Sequence, residues 1–170
     1  MGEFILDVEK TYDEMIAHYR ETASLAEVVS FLQWDLQVNM PPKGIDARVE
    51  QNSLLERMVH ESITRPDFVE RVEGLFSEIE KMDDDQKANL VEIKRQVDQA
   101  VKVPKDLVEQ ISKAGSLSHV AWVEAREKAD FSLYAPHLSN MVGLQIEKFK
   151  ALGFSDKPYD GMIDYFEPGA

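Results

Sequence analysis

Apolar residues recur at spacings of three and four along nearly the whole chain, the rhythm of helices that bury one face. Ile5, Val8, Tyr12, Met15, Ile16 and Tyr19 open a series that continues through Ala23, Ala26, Val29 and Leu32. It predicts one long first helix ending near Trp34-Asp35, because Met40-Pro41-Pro42 cannot continue it. A second helix is predicted from Ile45 or Asp46 to about Ile63-Thr64, its buried stripe being Val49, Leu54 or Leu55, Met58 and Val59. Pro66 suits the first turn of a third, with Asp67 and Glu70 near its positive end and Phe68, Val72, Leu75, Phe76 and Ile79 on its apolar face.

Asp83-Asp84-Asp85 breaks that run and can cap a fourth helix carrying Leu90, Ile93, Val97 and Val101. Pro104 opens a fifth, marked by Leu107, Ile111, Ala114, Ala121 or Trp122, and Ala125. A sixth, over 135–152, carries Leu138, Val142, Gln145, Ile146 and Phe149, with Gly153 as its cap. A short last helix over 158–165 ends at Glu167-Pro168-Gly169. No segment alternates apolar and polar positions in the two-residue rhythm of a strand. The fold class expected is all-α, with about six to seven helices in one domain over 1–170; the short connections make neighbours mostly antiparallel.

Composition narrows the partners. The net charge of −13 repels phosphate backbones and anionic headgroups, so neither nucleic acid nor membrane is an expected partner. No cysteine is present, which removes disulfides and thiolate ligands and fits a reducing compartment. Residues 1–7 lack the basic region and apolar run of a signal peptide, and Gly2 lacks the Ser or Thr of a myristoylation signal. No stretch reaches the ~20 apolar residues of a membrane span, so a cytoplasmic location is expected.

Candidate chemistry is sparse. His60-Glu61 begins like the zincin motif, in which two histidines four apart hold zinc and the glutamate acts as base. The fourth position after His60 is Thr64, so the second imidazole is missing and His60 is read as a helix-end residue that caps carbonyls or packs at an interface. His18, His119 and His137 lack partners at metal spacing. Glu124 with Glu127, and Asp160 with Asp164, share helix faces as solvated charge. Asp83-Asp84-Asp85 lacks the glycine and glutamate of a calcium loop, and the adjacent Ser118 and His119 point different ways on a helix. No catalytic or metal residue is assigned, and any substrate-binding residue stays unknown.

The order of several short motifs adds a family. Trp34-Asp35, Met40-Pro41, Arg48, Gln51 and His60-Glu61 are followed by Val103-Pro104 with Leu107-Val108. Then come His119-Val120-Ala121-Trp122 with Ala125-Arg126, Ala135-Pro136-His137-Leu138, and Pro158-Tyr159-Asp160 leading to Asp164, Tyr165 and Glu167-Pro168-Gly169. This ordered set resembles the N-terminal part of the carboxypeptidase Taq family, zinc metallocarboxypeptidases with an all-α fold. The resemblance implies a helical clamshell around a deep groove, with this chain as part of one lobe restricting access to it. Members run to roughly three times this length. Their zinc motif, third ligand and carboxylate-binding arginine lie beyond the matched part, so zinc is implied for the full-length family and no cofactor for this chain.

Two functions follow. In the first, the chain is the N-terminal segment of an enzyme that removes C-terminal residues from peptides; its partner is the remainder of that chain, and alone it is inactive. In the second, it is a freestanding, non-catalytic module that dimerises or binds a partner through exposed apolar surface. Trp34 and Asp35 either shape the groove or serve structure, the indole packed at a helix end and Asp35 accepting backbone N–H bonds before Pro41; the structural role is favoured.

Overall fold

The computed structural model describes residues 7–154 and 156–167. The expectations placed on Ile5, on residues 1–6 and on Pro168-Gly169 lie outside them. Among the described residues the regular structure is helical: α1 (Val8–Val38), α2 (Ile45–Ile63), α3 (Pro66–Ser77), α4 (Asp84–Lys102), α5 (Lys105–Glu127), α6 (Ala135–Ala151) and α7 (Pro158–Phe166). Short 3-10 turns lie at Pro42–Gly44, Ile79–Lys81 and Phe131–Leu133.

Local chemistry sets most boundaries. The Asp7 carboxylate caps α1 by accepting from Lys10 N–H. Asp83 and Gln86 form a reciprocal capping box at α4, worth about 1 kcal/mol. Proline occupies the first turn of α3, α6 and α7, where its missing N–H costs nothing. The end of α1 departs from expectation: it runs to Val38, beyond Trp34-Asp35. Pro41 restricts the residue immediately before it, so the helix continues until the turn in which Asn39 and Met40 both donate to the Asp35 carbonyl.

α5 and α6 end alike. Asp130 N–H reaches Ala125 O at 2.9 Å and Phe154 N–H reaches Phe149 O at 2.9 Å, each across a residue with positive φ. That residue is Gly153 (φ 108°) after α6, but Ala129 (φ 50°) after α5. Only the first occupies this region without steric cost.

Side-chain bonds fix the directions. Arg48 on α2 meets Asp35 and Leu32 near the end of α1, while Ser62 near the end of α2 meets His18 and Thr22 earlier on α1, so the two helices run antiparallel. Arg57–Glu109 and Glu50–Lys113 give the same relation for α2 and α5. Tyr12–Asn89 and Tyr19–Gln96 make α1 and α4 parallel; no single short connection joins these two, so the antiparallel expectation for consecutive helices does not bear on them.

Two apolar clusters hold the helices. One joins Tyr12 and Met15 of α1 to Phe68, Val72 and Leu75 of α3 and Leu90, Ile93 and Val97 of α4. The other joins Val103 and Leu107 to Leu144, Phe149 and Leu152. Each fully buried Phe, Leu or Met contributes about 1.5–3 kcal/mol. Gly161 of α7 lies against Phe154, where a Cβ would come within 2.5 Å of the ring, so α7 docks only with glycine there.

Several expected stripes are corrected. Leu54 and Met58 of α2 are exposed, and its buried residues are Val49, Asn52 and Ser53. Leu138, Val142 and Ile146 of α6 are exposed, while Leu144 and Phe149 pack inward. Trp122 and Phe76 also face outward. These helices carry apolar residues on more than one face, and periodicity does not say which face packs within the chain.

Candidate functional site

Between the two clusters lies a cleft of about 680 Å³, walled by α1, α2, α4, α5, α6 and α7. That is the size of a small-molecule site. α2 supplies Asn52, Glu56 and His60, spaced four apart and therefore on one face. α5 supplies Ser112, Ser116 and His119 from the facing side. Gln33 and Gln37 of α1, Arg95, Gln96 and Gln99 of α4, Lys148 of α6 and Tyr165 of α7 add to the polar lining, with Leu36, Val59, Ile63 and Ile111 as apolar wall.

His60 defines the electrostatics of one end. Its Nε2 lies 2.8 Å from Val103 O and 3.1 Å from Ala100 O, carbonyls at the C-terminal end of α4, the second of which also accepts the Val103 N–H. Carbonyl oxygens only accept, so Nε2 carries the proton and Nδ1 of the neutral ring is an acceptor. That Nδ1 is buried without a partner, as are Oδ1 and Nδ2 of Asn52 and Oγ of Ser112. Leaving such groups unmade costs about 1–3 kcal/mol each. Burial pushes the Glu56 carboxyl above its usual range, against the hydrogen bond from Gln33 (2.9 Å) and the charge of Lys148, which both hold it down.

The half-motif does not make a metal site. His60 has committed its Nε2 to carbonyls, Glu61 turns outward to Arg57 (3.8 Å), and Thr64 donates to His60 O instead of offering a ligand. Among the described residues no group of three or more His, Asp or Glu is arranged to hold a metal. The donor set therefore does not fit the zinc implied for the family, and no chemistry of this chain is derived through it. His18 donates to Ser62 O and stacks on Phe68 at 4.3 Å. His119 lines the cleft, and His137 lies in the first turn of α6.

The motif around Trp34 assembles differently from expectation. Arg48 Nη1 binds Asp35 Oδ2 at 2.7 Å and donates to Leu32 O at 2.8 Å, while its Nε donates to Gln51. Asp35, Arg48 and Gln51 thus form a latch across the α1–α2 hairpin. The Asp35 carboxylate does not accept the backbone N–H groups of the turn; its carbonyl does. Trp34 is not packed at the helix end: it is 51% exposed, beside Phe31. With Val28, Phe31 and Val38 it forms an outward apolar stripe.

Asn52, Glu56 and Ser112 escaped the reading of the sequence. They are polar residues on amphipathic helices, where the default is solvent. The retrievable signal was the four-residue spacing of Asn52, Glu56 and His60 on the side of α2 opposite Leu54 and Met58.

Comparison with known proteins agrees with the motif order. The family model described as carboxypeptidase Taq (M32) metallopeptidase matches residues 14–170. Thermostable carboxypeptidase 1 of Pyrococcus furiosus is 31% identical over 94% of this chain and 32% of its own length. Thermostable carboxypeptidase 1 of Thermus thermophilus is 30% identical over 95% of this chain and 34% of its own. The chain thus spans about a third of the relatives it matches, and the match falls on their N-terminal part. The solved BsuCP structure superposes on 95% of the chain with a TM-score of 0.88 at 24% identity, a likeness of fold.

Proposed function

The chain belongs to the carboxypeptidase Taq (M32) family of metallopeptidases, and from that membership we propose that it serves as the N-terminal helical lobe of a zinc-dependent carboxypeptidase. The observation that carries the reading is the match along residues 14–170 to about a third of the relatives' length, on their N-terminal part. In the assembled protein this lobe walls the groove that admits peptides, and the remainder of the chain supplies zinc and the general base. Zinc held there, by residues outside the third matched here, would supply a Lewis acid for hydrolysis of the C-terminal peptide bond. The lobe is one domain, and by itself it is inert as a peptidase. Among the described residues no helix is long and apolar enough to cross a membrane; with the acidic charge, this supports a cytoplasmic setting.

The exposed stripes support the same reading. Val28, Phe31, Trp34 and Val38 on α1, and Leu138, Val142 and Ile146 on α6, offer apolar faces to a neighbour. They also favour the second reading, in which a freestanding chain dimerises through them. The test is co-expression with the C-terminal two thirds of the Pyrococcus furiosus relative, followed by assay of amino-acid release from peptides with zinc. Association and zinc-dependent turnover, absent from either part alone, are expected. Turnover by this chain alone, or failure to associate, overturns the lobe reading. A dimer in sedimentation together with failure to associate favours the second.

A further inference from the structure

The cleft between α2 and α5 carries a chemistry that neither apolar cluster nor the family assignment uses. We propose that it is a binding site for a small neutral amide with an apolar body, presented through the carboxamide of Asn52, Nδ1 of His60 and the hydroxyl of Ser112. The proposal stands on the cleft alone and goes beyond the lobe reading.

Asn52 is 1% exposed, and both ends of its carboxamide lack partners. The natural complement of a primary amide is another amide: its C=O accepts from Nδ2 while its N–H donates to Oδ1. His60 Nδ1, an acceptor because Nε2 holds the proton, asks for a further donor. The Ser112 hydroxyl serves either need. None of these unpartnered groups is charged, and the two cations of the lining are already engaged, Arg95 with Glu92 and Lys148 over the Tyr165 ring, so nothing left over compensates an ionic ligand. Burial raises the Glu56 pKa, and the same burial disfavours a further ion in this space. Leu36, Val59 and Ile111 give the apolar body a wall. The unpartnered atoms are closed to solvent, so a ligand reaching them parts the side chains around them, a rotamer-level change common on binding.

Two sources share this chemistry, a free carboxamide and the backbone of a short peptide. The test is a ¹H–¹⁵N NMR titration of the 170-residue chain with N-acetylleucinamide, N-acetylleucine and leucine. Saturable shifts at the Asn52 side-chain NH₂ and the His60 ring nitrogens are expected with the amide, at least tenfold weaker with the carboxylate and absent with the zwitterion. Asn52→Leu should weaken amide binding at least tenfold while raising the melting temperature, because it removes two unmet polar atoms. Ser112→Ala, a smaller change on the facing helix, is measured alongside and should weaken binding severalfold. No saturable shift by tens of millimolar amide, equal binding by leucine, or undiminished binding in both variants overturns the proposal. A blocked tripeptide amide that binds tenfold tighter than N-acetylleucinamide supports it with peptide backbone as the source; equal binding supports it with a free amide.

Discussion

Removing the guanidinium from the α1–α2 latch should cost more than an ordinary surface ion pair. Arg48 and Asp35 meet at 2.7 Å with side chains only 14% and 24% exposed, and Arg48 also holds Leu32 O. Arg48→Met keeps most of the stem volume and leaves a largely buried carboxylate without its cation. Breaking a fully buried pair from one side costs about 3–5 kcal/mol, whereas exposed pairs are worth roughly 0–1. Partial access of water to Asp35 places this case between them, at ~2 kcal/mol. Asp35→Asn leaves Arg48 its bond to Leu32 O and should cost ~1 kcal/mol. The double variant should lose less than the sum, giving a coupling of about 1–2 kcal/mol. Urea unfolding of the four proteins at pH 7 measures it, with the denaturant slope unchanged. The coupling should persist in 1 M salt, because little water reaches the pair. A coupling below about 0.5 kcal/mol, or one abolished by salt, refutes the view that this motif is a buried structural latch.

Three further outcomes follow from particular positions. Ala129 occupies the left-handed position that glycine fills after α6, so Ala129→Gly should stabilise and Gly153→Ala destabilise by roughly 1 kcal/mol each, or about 2–4 °C in thermal melts. Burial raises the Glu56 pKa, so between the ordinary value of about 4.3 and the raised one the native state binds more protons than the unfolded state, and stability falls as pH rises. Glu56→Gln, which still accepts from Gln33, should therefore be more stable than wild type above that window and converge with it below about pH 4 in urea titrations. Val142 is 50% exposed, so Val142→Lys should change the stability of the chain alone by no more than about 0.5 kcal/mol; if the stripe meets the rest of a carboxypeptidase, the same change blocks co-purification with that remainder.

Element existence was legible because proline, aspartate and glycine punctuate this chain where helices start and stop. Pro66, Pro104, Asp83 and Gly153 each act as their chemistry dictates. Which face is buried was less legible. Thr22 lies on the buried stripe of α1 because Ser62 meets its hydroxyl at 2.7 Å, a partner 40 residues away that no local pattern reveals. Asn52 is buried as well, but with no hydrogen-bond partner at either end of its carboxamide, which no local pattern reveals either. Leu36 is buried because α1 continues past Trp34-Asp35 to Val38, Pro41 restricting only the residue immediately before it. His60 was legible as a capping residue, since a helix-end histidine lacking its second zinc ligand has carbonyls as its ordinary neighbours; that those carbonyls belong to α4 required the fold.

The mismatches have a common direction. Leu54, Met58, Leu138, Val142 and Ile146 are apolar residues at helical spacing, yet the chain leaves them exposed. Periodicity records every face that a helix has evolved to bury, whereas packing within the chain records only those buried here. A self-sufficient domain makes the two agree, apart from scattered surface apolars. Here they disagree along whole stripes of α2 and α6, and α1 adds a third in Val28, Phe31, Trp34 and Val38. With relatives three times as long, the simplest physical account is that these faces meet elements beyond the third matched here. On that account the buried polar face of α2 and its exposed apolar face are two aspects of one arrangement, the first turned to the cleft and the second to a neighbour.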